Sequence, residues 1–336
     1  MGSGRALVLG ASGFLGGHIV QKLVAAGRPV RVFVRSTSNL ERIDHLPIEI
    51  VRGDAFDVDA VTEAMQGCDA VYHCIVDTRA WLRDAAPLYR TNIDALVVAM
   101  EAALRSDVGR FLFASTVVTI GRRKGRAATE EDAFDWWDDA IDYVKSRVLA
   151  EQTFMDYCRE RGLPGVALCI TNTYGPQDIE PTPQGRMIAM AAAGQLKVYY
   201  DGGFPSVGIE DVADGMILAE TRGRIGERYI LSERTLTWRD LLETAARQAG
   251  RTAPLRRVPL PLLYAGAAIA ETAAKLRGRD SQLSVKSIRI SRSIGDLSSE
   301  KARRELGWTP EPVHNAIRRA ADFYEARRMA GERKNG

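Results

Sequence analysis

A glycine-rich turn near the start of the chain has the composition of a phosphate-binding site. Gly10, Gly13 and Gly16 directly follow the apolar run 6–9 and open a helical pattern. The first glycine permits a tight turn, the second lets the backbone approach a pyrophosphate, and the third lets the helix pack closely on the sheet. Unpaired N–H groups at the start of the helix then face the phosphates. The sequence therefore predicts that an adenine dinucleotide binds here, and the alternative is a structural turn without a ligand.

The segments around this turn alternate between short apolar runs and helical patterns. Such alternation is typical of a parallel sheet with helices on both faces, and strands that are apolar throughout indicate that both faces are buried. The predicted fold class is α/β, a doubly wound parallel sheet of the Rossmann type with a smaller C-terminal α/β cap. The predicted strands are 6–9, 30–34, 48–51, 70–74, 111–114 and 166–170, and the predicted helices among them include 58–66, 88–105 and 140–161.

The pattern changes after residue 175, where several prolines interrupt the chain. We predict a dinucleotide-binding domain at 1–175 and a region at 176–330 that is mainly a substrate-binding cap, with some segments returning to the first domain. Ligands of open α/β sheets bind at the carboxyl ends of the strands, so we expect the cap to cover that edge. Helical patterns in this region are 185–193, 211–220 and 237–248.

Composition and charge exclude several classes of protein. The chain has 336 residues, of which 46% are hydrophobic and 26% charged, as is typical of a soluble globular protein. A net charge of +3 is too weak to indicate nucleic-acid binding. The basic loop 122–126 favours a solvated turn over a contact with an anionic partner. The apolar stretch 258–270 is shorter than the ~20 residues needed to span a bilayer.

Cysteine usage and the N-terminus indicate the compartment. The four cysteines form no CxxC pair and show no metal-like spacing with the four histidines. We therefore expect reduced thiols and no metal site. The chain passes from Met1 almost directly into an apolar strand, so we expect no signal peptide and a cytoplasmic location.

Further motifs follow the glycine turn in a recognisable order. They are Gly53-Asp54 after the third strand, Tyr72-His73-Cys74-Ile75 at the end of the fourth, Asn92 at the start of a helix, Asn172-Thr173-Tyr174-Gly175-Pro176 after the sixth strand, and Leu306-Gly307-Trp308 near the C-terminus. With this order the chain resembles the extended short-chain dehydrogenases/reductases, the NAD-dependent epimerase/dehydratase family, over nearly its whole length. Within that family it is similar to hopanoid-associated sugar epimerases, dihydroflavonol reductases and 3β-hydroxysteroid dehydrogenases.

The resemblance implies a set of cofactor-binding residues. The second strand is followed by Arg35 and three hydroxyl residues, where many NAD proteins place a carboxylate for the ribose 2′-hydroxyl. Arginine there favours NADP, and NAD remains the alternative. The implied cofactor-binding residues are Gly10, Ser12, Gly13, Phe14, Leu15, Gly16, Arg35, Asp54, Ala55, Cys74, Ile75, Asn92, Tyr143, Arg147, Ile170 and Thr173.

The resemblance also implies catalytic residues, with one departure. In the family, a Tyr exchanges a proton with the substrate oxygen, a Ser or Thr holds that oxygen, and a Lys four residues after the Tyr assists. Here Thr116 and Tyr143 align with the first two, with Ser115 as the neighbouring candidate, but Arg147 occupies the lysine position. Tyr143 and Arg147 share a helical face, whereas Lys145 does not. Arginine keeps the positive charge but cannot release a proton.

Three functional hypotheses follow from these residues. The first is an NADP-dependent oxidoreductase that interconverts a secondary alcohol and a ketone on a large apolar molecule, sterol-like or flavonoid-like. The second is a nucleotide-sugar epimerase or dehydratase with tightly bound NAD. The third is a dinucleotide-binding protein whose catalysis is impaired by the arginine.

Candidate substrate-binding residues lie near the catalytic positions and in the cap. We predict substrate contacts at Thr116, Asn172 and Arg186. Trp136 and Trp137 form either a wall for a flat ligand or part of the packing before the catalytic helix. The apolar segment 258–276 favours a packed helix over a pocket lining or a peripheral membrane contact. The resemblance further implies a homodimer.

Overall fold

The computed structural model describes residues 4–82, 84–253, 256–276 and 294–335. Its main feature is a sheet of seven parallel strands in the order β10-β6-β5-β4-β1-β2-β3. The strands are β1 (Arg5–Leu9), β2 (Val30–Val34), β3 (Glu49–Arg52), β4 (Cys68–His73), β5 (Arg110–Thr116), β6 (Gly165–Ile170), β7 (Asn172–Tyr174), β8 (Val198–Tyr199), β9 (Gly203–Gly208), β10 (Arg228–Leu231), β11 (Arg234–Thr237) and β12 (Arg256–Arg257).

Helices connect the strands and cover both faces of the sheet. They are α1 (Phe14–Ala25), α2 (Val58–Met65), α3 (Ala86–Tyr89), α4 (Ala95–Arg105), α5 (Asp142–Arg161), α6 (Pro183–Ala192), α7 (Ile209–Arg222), α8 (Trp238–Gln248), α9 (Leu260–Leu276) and α10 (Val313–Asn335). A π-helical segment, Arg90–Asp94, interrupts the helix predicted at 88–105. The predicted α/β fold class of the Rossmann type is confirmed by this architecture.

The core has two layers because successive strand residues point to opposite faces of the sheet. Val8 and Tyr72 face the layer that contains α1 and α7, whereas Leu7 and Phe111 face the layer that contains α2, α4 and α5. Each strand is therefore buried on both sides, as continuous apolar runs require.

The cap has its own small core. The three-stranded sheet β11-β9-β7 packs with α6, α8 and α10 around buried apolar residues such as Ile188, Phe204, Leu241 and Ile317. Because only Thr171 separates β6 from β7, the cap begins directly at the carboxyl end of the main sheet.

Two elements beyond residue 175 return to the main sheet. β10 pairs with β6 as the seventh parallel strand, and α7 packs against α1. The four-residue run of β10 carries no periodic signal strong enough to predict it from the sequence.

The basic loop 122–126 lies near acidic residues, and Arg123 and Arg126 both pair with Asp132.

A buried ion pair joins these returning elements to the first part of the chain. The guanidinium of Arg28 contacts the carboxylate of Glu220 on α7, with side chains only 3% and 4% exposed. The hydroxyl of Tyr72 on β4 donates to the same carboxylate at 2.5 Å. Burial and the neighbouring carboxylate raise the pKa of Tyr72 well above its usual value, so the phenol stays protonated.

Replacing Glu220 with Gln is expected to lower the free energy of unfolding by about 3–5 kcal/mol, because the buried Arg28 cation loses its counter-ion. Urea unfolding followed by circular dichroism measures this change. The control is Glu243→Gln, which removes the exposed pairs with Arg239 and Arg247 and is expected to cost about 1 kcal/mol or less. Equal losses in the two variants would contradict a dominant role for the buried pair.

Candidate active site

The glycine turn lies between β1 and α1, where the sequence predicts it. Gly10 has a φ of +81°, and a Cβ atom on it would lie 2.9 Å from the carbonyl carbon of Cys74. A Cβ atom on Gly16 would lie 2.4 Å from the carbonyl oxygen of Gly10. Backbone atoms therefore occupy the space that side chains would need, which explains the glycines at both positions.

The start of α1 is suited to an anion. Gly13 is the N-cap residue and provides no side-chain hydrogen bond, and the first turn contains no acidic residue. The first N–H groups of a helix have no partners within the helix. These groups and the helix dipole fit a pyrophosphate group. Ser12, Phe14 and Leu15 complete the turn around this point.

Arg42 supports the turn from behind and was not identified in the sequence. Its guanidinium donates to the carbonyl oxygens of Ser12 at 3.1 Å, Gly13 at 2.5 Å and Gln177 at 2.9 Å. It thereby ties the glycine turn to the loop that follows β7. No local motif marks this arginine, because its partners are up to 135 residues away.

Two arginines meet at the end of β2. The side chain of Arg35 is exposed and, among the described residues, makes no hydrogen bond or ion pair. The guanidinium of Arg52, at the end of β3, donates to the carbonyl oxygens of Arg35 at 3.2 Å and Ser36 at 3.0 Å. Asp54 is exposed nearby, and its carboxylate accepts from the N–H of Phe56 at 3.1 Å.

Tyr143 and Thr116 meet at the wall of a cavity of about 350 Å³. Tyr143 lies in the first turn of α5, and Thr116 is the last residue of β5. Burial raises the pKa of the Tyr143 phenol above its usual value, while the positive charge of Arg147 and a hydrogen bond from Thr116 oppose that shift. The phenol is therefore protonated at neutral pH and is suited to donating a proton.

Ser115 does not share this position. Its hydroxyl donates to the buried carboxylate of Glu151, which also accepts from Thr119 at 3.0 Å and pairs with Arg228 at 2.7 Å. The alternating directions of side chains along β5 thus separate Ser115 from the cavity and place Thr116 in it.

Arg147 is buried directly behind Tyr143. Its Nη2 atom donates to the carbonyl oxygen of Ala114 at 2.6 Å, and its guanidinium carbon lies 5.2 Å from the centre of the Phe113 ring. Its Nε and Nη1 atoms are buried and have no hydrogen-bond partner in the described part of the chain. Unpaired buried donors are costly, so these two atoms fit a bound group with hydroxyl oxygens, such as a ribose.

His73 is a neutral neighbour of Arg147. Both ring nitrogens of His73 are buried and lack partners among the described residues. The imidazole stacks on Phe111 with ring centres 5.9 Å apart. Burial, together with the charge of Arg147, lowers the pKa of His73 to about 3, so the ring adds no second positive charge behind Tyr143.

Asn92 holds the chain around the site. Its amide oxygen accepts from the N–H of Asp77 at 2.8 Å, and its amide nitrogen donates to Ser146 at 3.0 Å. These contacts fix the loop after β4 to α5 and leave the amide of Asn92 engaged within the protein.

Other predicted cofactor residues lie along the carboxyl edge of the sheet. Cys74 and Ile75 follow β4, and burial raises the pKa of the Cys74 thiol to about 12. Ile170 and Thr173 both line the cavity, and Ala55 is half-buried after β3.

The cavity wall is aromatic and uncharged. Amide groups of Asn172 and Gln184 hydrogen-bond to each other at 3.0 Å, and none of the described lining residues carries a charge. The lining residues are Thr78, Ala80, Trp81, Thr116, Val117, Val118, Tyr143, Ile170, Thr171, Asn172, Thr173, Thr182, Pro183, Gln184, Phe204, Pro205, Trp238 and Ile294.

Three predicted residues lie away from the cavity wall. Arg186 is exposed on α6 and does not line the cavity. Trp136 is buried against Phe134, with ring centres 4.9 Å apart, and Trp137 is exposed near Lys145. Trp136 thus takes the packing role that the sequence left open, and Trp81 and Trp238 supply tryptophan rings to the cavity wall.

Comparison with known families decides the affiliation. The profile of the "NAD dependent epimerase/dehydratase family" matches residues 6–232. The chain belongs to this family. Its members include reductases, epimerases and dehydratases that use NAD(P), so the protein is an enzyme of the extended short-chain dehydrogenase/reductase kind.

Individual relatives match between 70% and 96% of the chain. Sterol demethylase protein B of Methylococcus capsulatus is 28% identical over 328 residues, which are 96% of this chain and 99% of that protein. A dihydroflavonol 4-reductase of Hordeum vulgare is 27% identical over 258 residues, covering 70% of this chain and 72% of the relative. The crystal structure of gox2253 has a TM-score of 0.84 and 31% identity, covering 96% of this chain and 98% of that one. The expected likeness to dihydroflavonol reductases is confirmed.

Replacing Gly16 with Ala is expected to weaken dinucleotide binding and to lower the free energy of unfolding by about 1–3 kcal/mol, because the new methyl group displaces the carbonyl of Gly10. Calorimetric titration and urea unfolding measure the two effects. Gly266→Ala on α9 is the control, since no atom lies within 4 Å of the added Cβ, and it is expected to leave both properties unchanged or to stabilise slightly. Unchanged binding in the Gly16 variant would contradict the close packing of the turn.

Proposed function

We propose that this enzyme is an NADP-dependent oxidoreductase that interconverts a secondary alcohol and a ketone on a large apolar molecule, sterol-like or flavonoid-like. The uncharged, aromatic-lined cavity at which Thr116 and Tyr143 meet is the observation that carries the proposal. A cavity of about 350 Å³ is of the size that binds small organic molecules.

The residues of the chain perform the acid–base part of this reaction. Thr116 and Tyr143 hydrogen-bond the carbonyl oxygen of the ketone, and the Tyr143 phenol donates its proton to that oxygen as the alcohol forms. When bound, the nicotinamide supplies the hydride to the carbonyl carbon, and NADPH becomes NADP⁺. In the opposite direction the Tyr143 phenolate accepts the proton of the alcohol.

Arg147 stabilises the phenolate form of Tyr143 by its charge. Its unpaired Nε and Nη1 atoms are suited to the hydroxyl groups of the nicotinamide ribose. Because arginine does not release a proton, the proton that restores the Tyr143 phenol reaches it without passing through this side chain. We propose that Arg147 positions the cofactor and adjusts the pKa of Tyr143, and does no more.

The nucleotide-sugar hypothesis has weaker support. A nucleotide-sugar diphosphate calls for cations near the bound substrate, and the described cavity wall has none. Arg186, the cation predicted for that role, is exposed outside the cavity.

The proposed cofactor is NADP, with NAD as the alternative. Arg35 and Arg52 place two guanidinium groups at the end of β2, where an acidic residue would repel a 2′-phosphate.

We also propose that the enzyme is a cytoplasmic homodimer. Free thiols at all four cysteines are consistent with a reducing compartment, and the dimer is proposed from the family resemblance.

Purified enzyme with NADPH and a panel of ketosteroids and flavanonols tests the reaction, with cofactor oxidation followed by absorbance. Tyr143→Phe is expected to lower kcat by about 10²–10⁴-fold because the proton donor is lost.

The rate of alcohol oxidation is expected to rise with pH, since the raised pKa of Tyr143 keeps the phenol protonated at neutral pH and oxidation requires the phenolate. Arg147→Met is expected to move that alkaline rise upward by about 1–3 pH units, whereas Arg147→Lys leaves it in place.

Failure of both wild type and Arg147→Lys to oxidise NADPH with any ketone would overturn the assigned reaction. Tightly retained NAD with no net turnover of added cofactor would indicate an epimerase instead. Dinucleotide binding with no turnover, unaffected by Tyr143→Phe, would indicate a protein that only binds the dinucleotide.

Replacing Arg35 or Arg52 with Ala is expected to raise the Kd for NADP by roughly tenfold while leaving the Kd for NAD unchanged, because each variant loses a charge-assisted contact with the 2′-phosphate. Calorimetric titration with both dinucleotides measures this difference. Arg159→Ala, which removes an exposed arginine from the far end of α5, is the control. An equal loss of NADP and NAD affinity would contradict a 2′-phosphate site.

A further inference from the structure

Helix α9 presents an apolar face that the rest of the described chain does not cover. Leu262 is 64% exposed and Ile269 is 71% exposed, and their seven-residue spacing places them on one side of the helix. Extensive packing of α9 against another described helix or strand is absent. Exposed side chains of this kind in a contiguous patch indicate a docking surface.

The polar groups of this face are satisfied within the helix. The hydroxyl of Thr272 donates to the carbonyl oxygen of Ala268 at 2.8 Å. The other exposed residues between 261 and 269 are Pro, Ala and Gly, so no charged side chain interrupts the patch. Transfer of such a face into an apolar environment is favourable, because it buries apolar side chains and leaves no polar group without a hydrogen-bond partner.

Basic residues precede the patch in the chain. From residue 251 to residue 270 the sequence has three arginines and no acidic residue. Arg251, Arg256 and Arg257 are exposed just before α9; Arg257 pairs with Asp201, whereas Arg256 makes no side-chain hydrogen bond or ion pair with the residues that the structure describes. An apolar helical face beside exposed arginines is the pattern of a helix that lies in the interface of an anionic bilayer.

A second copy of the chain fits this face less well. Two α9 helices packed on each other would cover their apolar faces, but Glu271 is the only acidic residue that the described part of α9 offers to the exposed Arg251 and Arg256. An anionic bilayer instead supplies both the apolar interior and the negative charge. The described helices include none that is long and apolar enough to cross a membrane, so α9 would lie along the surface.

We propose that α9 docks this enzyme onto anionic phospholipid bilayers. The segment just before α9 is linked to the cavity wall: the N–H of Val258 donates to the carbonyl of Tyr199 at 2.7 Å, and the ring of the next residue, Tyr200, lies 5.2 Å from that of Trp238, which lines the cavity. The docking itself does not depend on the proposed reaction.

Flotation of the purified full chain with vesicles tests this proposal. Wild type is expected to float with vesicles of equal parts phosphatidylcholine and phosphatidylglycerol, and to float less with phosphatidylcholine alone or at high salt. The double variant Leu262→Ser/Ile269→Ser is expected to lose at least roughly tenfold in vesicle binding, because two apolar side chains no longer enter the bilayer. Its dinucleotide affinity is expected to stay unchanged, which shows that it is folded.

Ile225→Ser is the matched control. Ile225 is 52% exposed just before β10, at the opposite end of the strands from the cap, and its replacement is expected to leave flotation unchanged.

Failure of the wild type to float with either kind of vesicle would overturn the proposal. A dimer in light scattering that dissociates in the Leu262/Ile269 variant, without vesicle binding by wild type, would assign the face to a second copy. Vesicle binding gained only after residues 277–293 are replaced by a Gly/Ser linker would assign it to that segment.

Discussion

The candidate site depends on the parallel ladder between β5 and β6. This ladder pairs Phe111 with Gly165 and continues in register to Thr116 and Ile170. It brings the end of β5, which carries the Thr116 hydroxyl, beside the end of β6, from which the cap begins. The guanidinium of Arg147 binds the backbone of β5 at Ala114, so α5, which carries Tyr143, is fixed to the same ladder. Displacement of one strand would therefore separate Tyr143, Thr116 and the cap from one another.

Arg147, which occupies the lysine position of the family, is buried and held by specific contacts with its neighbours. A guanidinium is larger than an ammonium group and has a planar face, and here that face lies over the Phe113 ring while one nitrogen binds the backbone. His73 stays neutral beside it, so a single buried cation acts on Tyr143. In the proposed reaction, arginine at this position keeps a positive charge beside Tyr143 but cannot exchange a proton.

Local signals predicted much of the fold and part of the site. The glycine turn and the strands β1, β2, β4 and β6 were predictable because continuous apolar runs and glycine spacing reflect short-range constraints. Arg42, Phe204 and Trp238 were not, because their contacts with the site join segments far apart in the chain. Arg186 illustrates the converse: its charge suggested a substrate contact, but the rotation of α6 turns it to solvent. The short strand β10 was missed because its pairing partner, not its own pattern, determines it.

The return of α7 and β10 to the main sheet has a consequence for synthesis of the chain on the ribosome. Before β10 is made, β6 has no partner strand on one side, and before Glu220 is made, Arg28 lacks its carboxylate partner. The main sheet is therefore complete only after β10 has been made, although the glycine turn is translated more than 200 residues earlier. A nascent chain halted before that point carries an open sheet edge, on which chaperones and neighbouring nascent chains would compete to bind.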